Sequence, residues 1–198
     1  NDNGSGSAAV LAIAKALMTG PQRPRRTVVL ALWSGEEQGL FGSRHYVADP
    51  SYPLAGTVAY LNLDMVACPW DEASLRRMAR MFGMGDVGEL LKGIQADNFL
   101  TFGLTGENPA LTETLRKANE TVGFDLLLRP APRSLDHSMG GSDHSSFAAA
   151  GIPWVFFMSG LGEGTYHQPK DEIGTVDLPF LERMTRLVYL ATVYRADL

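Results

Sequence analysis

The apolar run Thr27-Val28-Val29-Leu30-Ala31-Leu32-Trp33 is followed, three residues on, by two adjacent carboxylates, Glu36-Glu37. That junction constrains the chain more than any other stretch. A short run rich in Val, Leu and Trp reads as a buried strand. The segment after it, about residues 40–48, reads as a helix closed by Asp49-Pro50. Both acids therefore fall where a strand ends and the chain turns. Neighbouring carboxylates repel, so a fold gains nothing from placing both there unless water or a cation holds them. Taken alone, the pair reads as an acidic surface loop, and only the rest of the chain can change that reading.

Residues 7–18 (SAAVLAIAKALM) are good helix formers with a single charge, Lys15, and predict a helix packed on a sheet, stopped by Thr19-Gly20-Pro21. Residues 57–63 (TVAYLNL) read as a second strand with Asp64 at its end. Residues 73–82 and 86–94 carry helical patterns, and Met78, Met81 and Met84 read as a helix face or core. A strand over 98–103, a helix over 109–122 with Leu111, Leu115 and Ala118 on one face, a strand over 124–128 and a Pro-rich loop over 129–133 follow. Residues 140–147 form a polar loop leading to a short helix of small residues, then a buried strand over 152–158 (IPWVFFM). A glycine-rich loop reaches Tyr166-His167, and a helix over 179–195 closes the chain. This alternation predicts an α/β fold, with a parallel or mostly parallel sheet and helices on both faces.

Composition excludes several classes. A net charge of -5 with no basic footprint argues against nucleic acid. Arg23, Arg25 and Arg26 are broken up by Pro21 and Pro24 and read as a solvated loop. One cysteine, Cys68, permits neither an internal disulfide nor a thiolate metal site. No apolar run approaches the roughly 20 residues of a membrane helix. At 198 residues and 45% hydrophobic, one domain over 1–198 is expected. The opening Asn1-Asp2-Asn3-Gly4-Ser5-Gly6 is turn-forming material running straight into a helix, which suggests a start inside a domain.

Asp2, Glu36, Glu37, Asp64, Asp143, His144 and His167 all lie in loops beside these elements, most after the carboxyl end of a strand. In an open α/β sheet those ends share the edge where ligands bind. Carboxylates with one or two imidazoles and no thiolate suit Zn²⁺, Mn²⁺ or Co²⁺. A cation would also relieve the repulsion between Glu36 and Glu37, one acid binding it and the other taking a proton from water.

Five motifs in this order resemble the M28 zinc aminopeptidases. They are Asn1-Asp2-Asn3-Gly4-Ser5-Gly6, Ser34-Gly35-Glu36-Glu37-Gln38-Gly39-Leu40-Phe41-Gly42-Ser43, Asn62-Leu63-Asp64-Met65, Gly141-Ser142-Asp143-His144-Ser145-Ser146-Phe147 and Tyr166-His167-Gln168-Pro169-Lys170-Asp171. The resemblance implies a zinc-exopeptidase-like three-layer α/β/α sandwich with a mixed, mostly parallel sheet. It implies hydrolysis of N-terminal residues from peptide substrates, and a secreted or periplasmic setting. By the same resemblance Asp2 bridges two zinc ions, Glu37 and His167 complete one site, and Asp64 serves the other. Glu36 is then the general base and Tyr166 the hydroxyl that steadies the oxyanion. Asp143 and His144 take a supporting or substrate-side role, or merely cap a helix. The peptide after the bridging aspartate, Asp2–Asn3, is expected to be cis. His45 reads as structural and His137 as a surface residue.

One departure matters. The family pattern supplies another histidine from a His-x-Asp motif upstream of the bridging aspartate, and neither His45 nor His137 lies in such a motif. The expectation is an N-terminally truncated catalytic domain that holds one Zn²⁺ rather than two, with weak or no activity. Missing strands should also leave an uncovered sheet edge open to self-association. Three alternatives stand beside this reading. One is a glutaminyl cyclase-like single-zinc acyltransferase, and another a non-catalytic domain on a peptidase fold. The third, a serine hydrolase using Ser142 and His144, lacks a Gly-x-Ser-x-Gly elbow. Phe156, Phe157, Trp70 and the Met cluster are the residues from which an apolar substrate pocket would be built.

Overall fold

Helix boundaries follow from caps written in the sequence. The computed structural model describes residues 1–21, 23–81, 88, 95–106, 108–130, 141–162 and 164–197. In chain order its main elements are α1 (Gly4–Thr19), α2 (Phe41–Ala48), β1 (Tyr60–Leu63), α3 (Glu72–Met81) and β2 (Phe99–Leu104). Then come α4 (Pro109–Val122), β3 (Asp125–Pro130), α5 (His144–Ala149), β4 (Trp154–Phe157) and α6 (Leu178–Asp197). α4 has every punctuation mark: the Asn108 side chain accepts the Leu111 N–H at 3.1 Å, Pro109 opens the helix, and Gly123 closes it in the left-handed region.

The four strands run in the order β1-β4-β2-β3. β1 and β4 are parallel, with Tyr60 opposite Trp154 and Leu63 opposite Phe157. β2 and β3 are parallel, while β2 meets β4 antiparallel. The sheet is thus mixed, as expected. α1, α4 and α6 pack together with one of its faces, and α2 and α5 lie on the other. Strand alternation explains the division. Val155 and Phe157 join Ile13, Leu115 and Leu187 in the main core. Trp154 and Phe156 point the other way, against His144 of α5. In β1, Leu61 and Leu63 pack on the main core, while Tyr60 stacks on Phe147 at 3.8 Å and Asn62 turns toward Ser142. Each large apolar side chain buried in this way contributes about 1.5–3 kcal/mol.

Residues 27–33 depart from the expected strand. They are extended but join no ladder among the described residues, and Val29, Leu30 and Leu32 are exposed. Strand propensity reports fit to a pleated, paired surface, and among the described residues no strand pairs with this run. Between residues 28–33 and residues 57–63 lies a cleft of about 870 Å³. Among the described residues β1 pairs only with β4, and its other edge lines this cleft. Trp33 is tied across, its Nε1 donating to the Tyr60 hydroxyl at 3.0 Å.

Other boundaries shift. β1 is shorter than the expected 57–63, and α5 begins at His144, which places this residue in a helix rather than a loop. Trp70 and Phe157 are buried and do not line this cleft. Expectations for the side chains of Met78 and Met81, for Met84, for the 86–94 helix, for the 129–133 loop and for His137 fall wholly or partly outside the described residues.

Candidate metal centre

The start of α1 is pressed against the carboxyl end of β1. Asn3 Oδ1 accepts the Gly6 N–H at 3.0 Å and the Met65 N–H at 3.3 Å, and Asn3 Nδ2 donates to the Leu63 carbonyl at 3.0 Å. Only glycine fits at position 6, because a Cβ there would lie 2.4 Å from the Leu63 carbonyl oxygen. This contact carries Asp2 to the end of β1. The Asp2–Asn3 peptide is cis, as the resemblance implied.

The Glu-Glu loop is folded by its own backbone. The Glu36 carbonyl accepts from Gly39 and Leu40, Gly35 from Phe41, and Ser34 from Gly42. Gly35 has φ of 70°, a left-handed conformation that favours glycine. His167, with φ of 56°, adopts that region without being glycine, a strain that recurs at functional sites. Its Nε2 lies 2.7 Å from Glu37 Oε1 and 3.3 Å from Asp2 Oδ2. One donor atom from each of Asp2, Glu37 and His167 lies within 4.8 Å of the others. Zinc takes oxygen and imidazole ligands at about 2.0–2.2 Å, so atoms around one ion are roughly 3–4 Å apart, and this donor set fits the ion. The Tyr166 ring stacks on His167 with centroids 3.8 Å apart, and its hydroxyl-bearing side chain is exposed.

Asp171, in the same motif as His167, was given no role by the sequence. Its Oδ1 accepts from the backbone nitrogen of Asn1 at 2.8 Å and its Oδ2 from that of Asp2 at 2.7 Å. Burial would raise its pKa, but these hydrogen bonds, together with the positive charge of the Asn1 amino group, win and hold the carboxyl below its usual range.

Asp64 is placed differently. It is not one of the three clustered donors; it is buried at the end of β1. A directed chain of hydrogen bonds leads to it. Trp33 Nε1 can only donate, so the Tyr60 hydroxyl accepts from it and gives its own proton to Asn62 Oδ1 at 2.9 Å. Asn62 then turns its NH₂ group to Ser142 Oγ at 2.8 Å, which frees the Ser142 hydroxyl proton for Asp64. Burial raises the Asp64 pKa to about 6, opposed by that Ser142 hydrogen bond and supported by the charges of Asp2, Asp143 and Glu37.

Glu36 faces Asp64 and Asp143 rather than His167. Burial, then the charges of Asp64, Glu37, Asp143 and Asp2, push its pKa up to about 7. Burial also raises Asp2, with Glu37 adding to it, and raises Asp143 against a hydrogen bond from Ser43. Asp143 and Glu36 line the same cleft, and Asp143 Oδ1 has no partner among the described residues. His144 does not join them. It is buried between the Trp154 and Phe156 rings, each 4.5 Å away, and desolvation lowers its pKa to about 4. His45 is exposed on α2. The signals for Asp171, Asn62 and Ser142 were present only as motif membership, because the Asn62–Ser142 bond spans 80 positions of sequence and Asp171 reaches residues 170 and 169 positions away.

The sequence profile of Peptidase family M28 matches residues 1–192. Aminopeptidase YwaD of Bacillus subtilis (strain 168) is 32% identical over 203 residues, covering 99% of this chain and 37% of that protein. A "Probable zinc metalloprotease" of Leptosphaeria maculans is 29% identical over 187 residues, covering 89% of this chain and 41% of that protein. The aminopeptidase from Aneurinibacillus sp. strain AM-1 superposes with a TM-score of 0.70 at 23% identity, over 97% of this chain and 38% of that one. The chain thus spans less than half the length of these relatives, and the last likeness shows the fold alone. With a family profile over nearly its whole length and the three clustered donors in the matching motifs, the chain belongs to peptidase family M28.

Proposed function

We propose that this chain is the catalytic part of a zinc aminopeptidase, in which Asp2, Glu37 and His167 hold the metal and Glu36 is the general base. The observation that carries the reading is the convergence of donors from residues 2, 37 and 167 to within 4.8 Å of one another. Zinc held there supplies Lewis acidity toward the scissile carbonyl and toward water. Glu36 stands next in sequence to one of those donors, and its pKa of about 7 matches a group that must accept and return a proton near neutrality. It takes a proton from the attacking water and delivers it to the leaving amine. Tyr166, exposed beside His167, is placed to donate its hydroxyl to the developing oxyanion. The charge of Asp143, when ionised, raises the Glu36 pKa and so favours its protonated form once the proton has been taken.

The cluster provides three donors for one ion. Asp64, apart from it, is a second-ion ligand that among the described residues has Asp2 alone to share, so one firmly held Zn²⁺ per chain and weak or no activity are expected. The test is Glu36→Gln. Zinc content should be unchanged, while release of nitroaniline from an aminoacyl-nitroanilide should fall about 10²–10⁴-fold. Cyclisation of an N-terminal glutaminyl peptide, with no nitroanilide turnover, would favour the cyclase reading instead. Two tightly held zinc ions per chain would sink the single-ion expectation.

The open edge of β1 and the exposed Val29, Leu30 and Leu32 across the cleft also support self-association. Light scattering should find oligomers whose fraction drops when Leu30→Lys and Leu32→Lys are introduced together; a concentration-independent monomer would remove this proposal.

A further inference from the structure

We propose that Asp171 is a positioning residue that fixes the spacing of Asp2 and His167, so that the metal site keeps its shape before any cation arrives. The inference rests on the metal-site reading above. Its basis is a two-point grip. One oxygen of the carboxylate accepts from the terminal amino group of Asn1 at 2.8 Å and the other from the backbone N–H of Asp2 at 2.7 Å, across 170 and 169 positions of sequence. A carboxylate bound through both oxygens fixes direction as well as distance, and hydrogen bonds to a charged acceptor are about twice as strong as neutral ones.

The other end of the grip is equally fixed. The Asp171 N–H donates to the Gln168 carbonyl at 2.9 Å, and the Gln168 N–H to that of Thr165 at 2.9 Å, two consecutive turns that enclose His167. The Thr175 hydroxyl, which donates to the Glu172 carbonyl at 2.8 Å, also lies 3.4 Å from Asp171 Oδ1. Asp171 therefore links the segment carrying Asp2 to the loop carrying His167 by contacts separate from the His167–Asp2 pair itself.

The need for such a link is electrostatic. Asp2 and Glu37 place two carboxylates at one point, and without a cation they repel. A site that relaxed apart would have to be reassembled on binding, and that cost would be subtracted from the affinity. Asp171 resists the relaxation from behind, through the backbone, and leaves the ligand oxygens free.

Asp171→Asn tests this at constant volume, since one acceptor oxygen becomes an NH₂ facing a backbone N–H. Zinc affinity of the folded chain, measured by competition with a chromophoric chelator, should fall about 10–100-fold, the range for loss of a group that orients metal ligands. Asn108→Ala, which removes the cap of α4 far from the site, serves as a control: it should lower stability and leave zinc affinity unchanged. Unchanged affinity in folded Asp171→Asn would overturn the proposal. If that variant does not fold, amide exchange in the unaltered chain decides. The Asp2 N–H should be protected in the presence of a chelator, and exchange that is free until zinc is added would show that the cation sets the spacing. His167→Ala separates the two readings. If it binds zinc as the unaltered chain does, the metal site itself is misassigned. If it loses zinc while Asp171→Asn keeps it, only the role of Asp171 fails.

Discussion

The Asp2–Glu37–His167 cluster and Asp64 are neighbours but are built in opposite ways. The cluster draws on three loops, and the side chains of Glu37 and His167 are about half exposed, at 52% and 46%. It balances two acids with one imidazole, so it contains part of its own compensation. Asp64 is only 8% exposed, stands at the end of a core strand, and receives its hydrogen bond through Trp33, Tyr60, Asn62 and Ser142. No cationic side chain is among the causes shifting its pKa. The loop-built cluster is suited to capture and exchange of a ligand. The sheet-built carboxylate is rigid, and burial disfavours its charge unless a cation arrives to offset it.

Removing the imidazole should break the cluster most severely. His167→Ala leaves two carboxylates of like charge and takes away the only nitrogen donor of the three. Loss of a group that merely orients a ligand costs about 10–100-fold in metal affinity, so loss of the ligand should exceed about 100-fold. Chelator competition measures this directly. Asp64→Asn should weaken the same firm zinc far less, and an equal loss in the two variants would mean that the halves form one site.

Asp64→Asn should sharpen the contrast through stability. The folded-state pKa of Asp64 is about 6 and that of Glu36 about 7, both raised from 3.8 and 4.5. A raised carboxyl means that the folded chain binds more protons than the unfolded one. Its contribution is fully present below the unfolded value and is lost as pH rises through the folded value. Without metal, melting temperature should therefore decline between about pH 4 and pH 7 from these two groups, and zinc should reverse the trend. Asp64→Asn removes the buried charge and should stabilise the metal-free chain at pH 8 by on the order of 1–3 kcal/mol. Thermal melts with and without chelator at several pH values check both statements. Destabilisation by Asp64→Asn in chelator at pH 8 would refute them.

The same division governs what could be read from the sequence. Helices whose ends are marked locally were legible: Asn108, Pro109 and Gly123 delimit α4, and residues 109–122 were expected and found. The convergence of Asp2, Glu37 and His167 was legible as motif order and matches their placement. Residues 27–33 were misread because an apolar run predicts a strand without naming its neighbour, and here a cleft lies where a ladder would be. His144 was read as a loop residue with a supporting or substrate-side role, or as part of a helix cap; it opens α5 with its ring against Trp154 and Phe156. The grip of Asp171 lies in backbone nitrogens near the other end of the chain, which no local pattern encodes.

The smallest expected effect tests whether the chain leading to Asp64 is directional. Ser142→Ala deletes the last donor and should cost about 0.5–1.5 kcal/mol of stability, with the NH₂ group of Asn62 left facing a methyl group. That loss alone could reflect packing. Asn62→Asp keeps the shape but has no proton to give Ser142, so Ser142 must donate to the new carboxylate and withdraw from Asp64. If direction matters, Ser142→Ala should no longer weaken whatever binding depends on Asp64 once Asn62→Asp is present, because the donor has already been diverted. A double-mutant cycle on stability and on zinc binding, in which the two changes simply add, would show that Asp64 is held by packing and that the order of donors along Trp33, Tyr60 and Asn62 has no bearing on it.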